Sequence, residues 1–255
     1  MKKLILSLFL ILASCNRGPQ YEIPKADPTI IQKDFKKWWT YNCNTIILSS
    51  DFKPLDENYQ IINKEIFLKN LTSGDYIPIQ LISKDKETYY KLYRLEPTCN
   101  PDIKNTIKSE SLESYQNFKK EGTLFPKFNF KDLKRNIYTN ENTKDKIIVL
   151  KCWNLHCQKC IEEMPELNSL MEKYKTRKDI VFISLADDSS QKLEAFLLKK
   201  KFNYAVVPNQ ASFIKDTLNI WTYPTHIIIN KKGQISKEVT VFKELAIALK
   251  KEALM

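Results

Sequence analysis

The feature that most constrains this 255-residue chain lies in its second half, where short, nearly unbroken β-rich apolar runs alternate with helical segments. Ile147-Ile148-Val149-Leu150, Ile180-Val181-Phe182-Ile183-Ser184-Leu185 and Thr225-His226-Ile227-Ile228-Ile229 are runs of this kind. Strands buried on both faces of a sheet need such continuity. Phe125–Phe130 predicts the first strand of the series, Tyr204–Val207 a short extended piece, and Asn230–Gly233 a turn into a strand over Gln234–Val239. Cys157 to about Tyr174 predicts a helix with Leu167, Leu170, Met171 and Tyr174 on one face. Ser189 or Ser190 caps another through Leu198, Phe213–Ile220 is helical, and Phe242–Leu254 closes the chain. The order β-β-α-β-α-β-(α)-β-β-α predicts an α/β fold whose central sheet is covered on both faces.

Residues 30–122 predict a smaller α+β region. Ile30, Ile31, Phe35, Trp38 and Trp39 fall at helical spacing. Thr45–Leu48 predicts a short strand, and Glu65–Leu68 a short helix stopping near Gly74. Tyr76–Ile82 and Thr88–Leu95 predict two strands paired across Ser83–Glu87, before a helix carrying Ile107, Leu112, Tyr115 and Phe118. No repeat and no catalytic motif occurs there. Cys43 and Cys99 sit in turn-like surroundings. They either pair, which the chain-entropy model values at about 4 kcal/mol, or remain two free thiols; spacing does not choose.

At the amino end, Lys2 and Lys3 precede the apolar run Leu4–Leu12, the layout of a secretory signal. The run is too short to span a membrane as a helix. It ends Leu12-Ala13-Ser14-Cys15, which resembles the bacterial lipobox. That resemblance implies a signal over 1–14, removed before Cys15, and lipidation of Cys15, which anchors the chain to a membrane without a spanning helix. Residues 15–29, with Gly18, Pro19, Pro24 and Pro28 among polar residues, predict a tether. The expected location is the bacterial cell envelope, lipid-anchored and facing the periplasm or extracytoplasmic space, where disulfides persist. The formal net charge is +11, but the lysines are scattered and no basic helix or nucleic-acid module is present, so no nucleic-acid partner is expected.

Cys157-Gln158-Lys159-Cys160 is a C-x-x-C at the junction of a buried strand and a helix. The first N–H groups of a helix lack internal partners and the dipole is positive there. A thiolate at Cys157 is therefore favoured. Cys160, three residues on, lies on the same face, so the two sulfurs can close and reopen a small ring. Pro165 predicts a kink in this helix. A cis proline at Tyr223-Pro224-Thr225 would place backbone beside Cys157.

Trp153 to Leu167, together with Tyr223 to Gly233, resembles the thioredoxin-like TlpA/ResA group of exported thiol–disulfide oxidoreductases, over about residues 125–255. The resemblance implies a thioredoxin fold over 123–255, a central mixed sheet flanked by helices. It implies Cys157 as nucleophile, Cys160 as resolving cysteine, Pro224 as the cis proline and Glu163 as an acid near the site that helps handle protons. It also implies exported protein thiols or disulfides as partners, a membrane or periplasmic redox partner, reduction as the favoured direction, and no cofactor. Two positions depart from the group. Lys151 stands where thioredoxins carry Asp and the group often carries Asn, so a carboxylate relay at that position is absent. His156 precedes the first cysteine in place of Trp. With Lys159, it favours the reduced form and predicts a moderately oxidising potential.

Other readings attach to the same residues. Cys157, Cys160 and His226 would hold a soft cation in a copper chaperone-like module, although such modules use C-x-x-x-C. A zinc site lacks its second cysteine pair, and a peroxidase lacks the Pro-x-x-x-Thr-x-x-Cys pattern; no resident metal is expected. Cys152 reads as an inert buried thiol. Glu162, Glu163 and Glu166 read most simply as first-turn acids on a solvated helix face, His226 as a residue satisfying a core hydrogen bond, and Trp153 as packing.

Overall fold

The computed structural model describes residues 21–255. The expected signal over 1–14 and Cys15 lie outside the described residues.

The N-terminal unit is a four-stranded sheet with helices packed on it. Strands β1 (Tyr21–Pro24), β2 (Lys53–Leu55), β3 (Tyr76–Ser83) and β4 (Tyr89–Arg94) lie in the order β1-β3-β4-β2. The β3–β4 pair is the expected antiparallel hairpin, and β2 runs parallel to β4. Helices α1 (Pro28–Ile31), α2 (Phe35–Thr45), α3 (Lys64–Leu71) and α4 (Pro101–Lys120) complete the unit. Asp34, Asn63 and Asn100 start the three longer helices by accepting backbone N–H bonds. One core gathers Trp38, Ile77, Ile79, Leu81, Ile103 and Ile107; another gathers Phe67, Leu71, Tyr90 and Leu92.

Two expectations for this region are corrected. The tether predicted over 15–29 is not extended linker from Tyr21 onward. Tyr21–Pro24 adds a strand to the edge of β3, which suits a proline at an edge, and Asp27 with Pro28 starts α1. Thr45–Leu48 is not a strand. Helix α2 runs through Thr45, and the Tyr90 hydroxyl accepts from Ile47 N–H at 3.0 Å and donates to Thr45 O at 3.2 Å. A side chain thus meets the backbone needs that a neighbouring strand would have met.

The C-terminal unit begins with a hairpin, β5 (Asn129–Lys131) and β6 (Ile137–Thr139), so the predicted Phe125–Phe130 strand is regular only at its end. The main sheet comprises β7 (Ile147–Trp153), β8 (Ile180–Ala186), β9 (Ala205–Val207), β10 (Thr225–Ile229) and β11 (Ile235–Val239), in the order β11-β10-β7-β8-β9. Strands β7, β8 and β9 are parallel, and β10 is antiparallel to both its neighbours. The sheet is therefore mixed, as expected. Helices α5 (Gln158–Glu162), α6 (Met164–Lys173), α7 (Ser190–Leu197) and α8 (Phe242–Glu252) cover it. Phe213–Thr217 forms a single π turn rather than a longer helix. Alternation along β7 divides the core: Ile148, Leu150 and Cys152 face one apolar cluster, whereas Ile147 and Val149 face the other, against Leu167, Leu245 and Leu249.

The units are joined directly. After α4 the chain turns at Gly122, whose φ of +80° a side chain would strain. It then runs along β11, with Gly122 N–H on Ile235 O at 2.8 Å and Phe125 N–H on Gly233 O at 2.9 Å. Two ion pairs of 2.7 Å, Lys120–Glu238 and Lys237–Glu121, tie α4 and the turn after it to the same strand.

Candidate active site

Strand β7 delivers the chain to the site, and a short turn, Asn154-Leu155-His156, separates it from α5. Two acids that follow β8 shape this turn. Asp188 accepts from Leu155 N–H at 2.8 Å, and Asp187 accepts from the Tyr223 hydroxyl at 2.8 Å. The same loop thereby holds both the approach to Cys157 and the approach to Pro224. Sequence reasoning missed both acids; their signal was a pair of carboxylates at the end of an apolar run.

Cys157 is the N-cap of α5, and its sulfur accepts the Cys160 N–H at 3.2 Å. Cys157 and Cys160 are disulfide-bonded, with S–S 2.09 Å and Cα–Cα 5.2 Å. The two sulfurs live in different surroundings. Cys157 is half-buried, whereas Cys160 is wholly enclosed among Trp153, Met164, Ala186, Leu193 and Val206. When the bond opens, the outer sulfur is the one a partner can reach, and it already has a backbone donor aimed at it.

Helix α5 ends at Glu162, and α6 starts with Pro165 in its first turn, so the predicted single helix is two. The break turns Glu163 inward. Glu162 and Glu166 are exposed, as first-turn acids should be, but Glu163 is buried and ion-paired with Lys151. Lys151 has no exposed surface, and its ammonium also donates to Cys160 O at 3.3 Å. His226, equally buried, sits opposite Lys151 across the β7–β10 pair and brings Nε2 within 3.2 Å of the Glu163 carboxylate. The carboxylate that strand position 151 lacks thus arrives from the end of α5.

Burial pushes Glu163 upward, but the His226 hydrogen bond and the positive charge of Lys151 outweigh it and hold the carboxyl below its usual range. Burial lowers Lys151, against the opposing pull of Glu163. Burial also lowers His226, against the pull of the Glu163 carboxylate that its Nε2 faces. Its Nδ1 has no partner in the protein.

The Tyr223–Pro224 peptide is cis, as expected, and Pro224 is buried at the start of β10. Tyr223 packs on the apolar cluster that Cys157 also borders. Cys152 is fully buried, which pushes its thiol up, in keeping with an inert role. Trp153 is buried against Phe196 and Phe202.

Two readings are corrected here, the alternative ligand set and the solvated Glu163, and the choice left open at Cys43 and Cys99 falls on free thiols in this structure. Cys43 and Cys99 are not bonded to each other. Cys43 lies in the last turns of α2, beside the Asn42–Glu110 contact, whereas Cys99 precedes the start of α4. Positions 99 and 110 are about 16 Å apart along a helix. The alternative ligand set Cys157, Cys160 and His226 is not assembled: the two cysteines are bonded to each other, and His226 Nε2 faces Glu163. Among the described residues no group of three or more His, Cys, Asp and Glu is arranged to hold a metal. Glu163 is no solvated acid.

Residues 122–238 match the AhpC/TSA family. The chain is 29% identical over 119 residues to the thiol-disulfide oxidoreductase ResA of Bacillus thuringiensis subsp. konkukian, covering 46% of this chain and 68% of that protein. It is 26% identical over 117 residues to the thioredoxin-like protein YneN of Bacillus subtilis, covering 45% and 68%. Among solved structures, the thioredoxin domain of a thiol-disulfide oxidoreductase from Bacteroides vulgatus superposes with a TM-score of 0.46 at 22% identity, covering 51% of this chain and 96% of that one. Residues 122–238 therefore have a thioredoxin-like fold, match the AhpC/TSA family over that stretch and are similar to the ResA group, preceded by a unit outside the match.

Proposed function

We propose that this chain is a thiol–disulfide oxidoreductase that exchanges disulfides with exported proteins through Cys157 and Cys160, with reduction the favoured direction. The observation that carries the reading is the asymmetric pair: a bonded C-x-x-C with one sulfur reachable at a helix start and the other enclosed. In the reduced form Cys157 attacks one sulfur of a partner disulfide, and the partner's other sulfur leaves as a thiolate. Cys160 then attacks Cys157, re-forming the pair and releasing the second partner sulfur; two electrons pass to the partner. Glu163 takes part in proton handling, and Pro224 borders the site.

Attachment of Cys15 to lipid and an extracytoplasmic location belong to the same proposal. They rest on the signal-like residues before Cys15 and on its lipobox-like setting. No helix among the described residues is long and apolar enough to cross a membrane. The unit over 30–122 is proposed as a partner-facing or packing module. Insulin reduction by the chain, with a dithiol as electron source, tests the reading. Turnover that vanishes in Cys157→Ser supports it; turnover that persists refutes it. Metabolic labelling with a fatty acid tests Cys15, with Cys15→Ala as the control that must lose the label.

A further inference from the structure

His226, Lys151 and Ser184 form a row across β10, β7 and β8, paired position by position and each without exposed surface. The neighbours of Lys151 along β7 are apolar, and an ammonium here is costly unless paired. Replacing such a pair with apolar side chains often stabilises a protein. Its cost is placed directly under the enclosed cysteine: one ammonium bonds both Cys160 O and Glu163. Cys160 has no exposed surface, so a proton leaving its thiol needs an acceptor inside the protein. Glu163, three residues on and on the same side of the turn, is the carboxylate this row holds.

We infer that Lys151 and His226 are positioning residues for the exchange: they clamp Glu163 as an ionised carboxylate beneath Cys160, so that it takes the Cys160 proton as Cys160 attacks. The inference deepens the exchange reading and rests on it. In the step concerned, the partner is joined to Cys157 as a mixed disulfide. Cys160 S–H loses its proton to a Glu163 oxygen, and its electron pair forms the Cys160–Cys157 bond. The bond from Cys157 to the partner breaks, and the departing thiolate takes up a proton as Glu163 returns to carboxylate. Other groups facing this network are the Tyr204 hydroxyl, which senses Glu163, Lys159, which senses His226, and the Cys152 thiol beside Lys151.

The clamp makes a claim about pH. With Lys151 present, its ammonium helps hold the Glu163 carboxyl below its usual range. Without it, burial acts unopposed by that charge, the carboxyl rises, and it is protonated and unable to accept until the pH passes its new value.

The test uses the reduced chain from residue 15 onward with Cys15→Ser, Cys43→Ser and Cys99→Ser, mixed with Ellman's reagent in stopped flow. The first release of thionitrobenzoate reports attack by Cys157; the second reports resolution by Cys160. The expected second-release rate changes less than about threefold between about pH 5.5 and 8. Lys151→Met slows it at least about tenfold at the acidic end and recovers as pH rises, whereas Lys151→Arg keeps the flat profile. His226→Leu shifts the profile in the Lys151→Met direction by a smaller factor. Should Lys151→Met not fold, Lys151→Met/Glu163→Gln removes both charges; it resolves about a hundredfold slower at every pH. A Lys151→Met profile as flat as the parent's, or a double variant resolving at the parent's rate, overturns the inference. Absence of the first release would instead refute the exchange reading itself.

Discussion

Both units of the molecule hold a cysteine at the end of a helix, and the two ends give opposite chemistry. Cys43 lies in the last turns of α2, where the dipole is negative and no free N–H is offered. Burial and the nearby Glu110 charge push its thiol up. Cys157 stands at the other kind of end, as the N-cap of α5, with the Cys160 N–H directed at its sulfur. Similar side chains are thus made inert or reactive by which terminus they occupy and what sign of charge faces them. The same contrast holds for ion pairs. Lys119–Glu65 on the N-terminal unit is about half exposed on both sides, whereas Lys151–Glu163 is sealed inside the other unit.

The largest expected effect separates the two cysteines by function. Cys157→Ser lowers insulin-reduction turnover by at least about a thousandfold, since the nucleophile is gone. Cys43→Ser leaves turnover within about twofold, and a larger loss would erase the distinction. Next comes the pair of carboxylates. Glu163→Ala strands a buried ammonium and costs about 3–5 kcal/mol in urea unfolding. Glu65→Ala removes an exposed partner and costs less than about 1 kcal/mol. Equal costs would break the comparison between the units.

Acid gives a smaller, graded effect. The folded pKa of Glu163 lies below its unfolded value, so the stability it contributes is fully present above about pH 4.3 and is lost as pH falls through the folded value. Glu163→Gln should therefore flatten the acid limb of the stability profile. An unchanged limb would show that Lys151 does not hold the carboxylate down.

Much of the C-terminal unit was legible because its strands are buried on both faces and so are written as continuous apolar runs. Ile147–Leu150, Ile180–Leu185 and Thr225–Ile229 all became central strands. The motif at Cys157 and the proline at 224 were legible because their local setting carries the chemistry. The network beneath them was not assembled from sequence, since Lys151 and His226 are 75 positions apart and only the β7–β10 register brings them together. The signal was present all the same: a cation and an imidazole inside runs destined for full burial, each of which had to find a partner. The errors at Tyr21–Pro24 and Thr45–Leu48 have another cause. Edge pairing and a tyrosine hydroxyl's bonds to backbone are tertiary events that no local period reveals.

The central claim is that the helix start makes Cys157 electron-rich, while burial withholds Cys160 and Cys152 and the end of α2 offers Cys43 no donor. Iodoacetamide alkylation of the reduced chain across pH, followed by peptide mass spectrometry, reads each cysteine separately. The account predicts a Cys157 midpoint below the free-thiol value of about 8.5 and a Cys43 midpoint above it, with Cys160 and Cys152 unlabelled. Superimposable curves for Cys157 and Cys43 would contradict it.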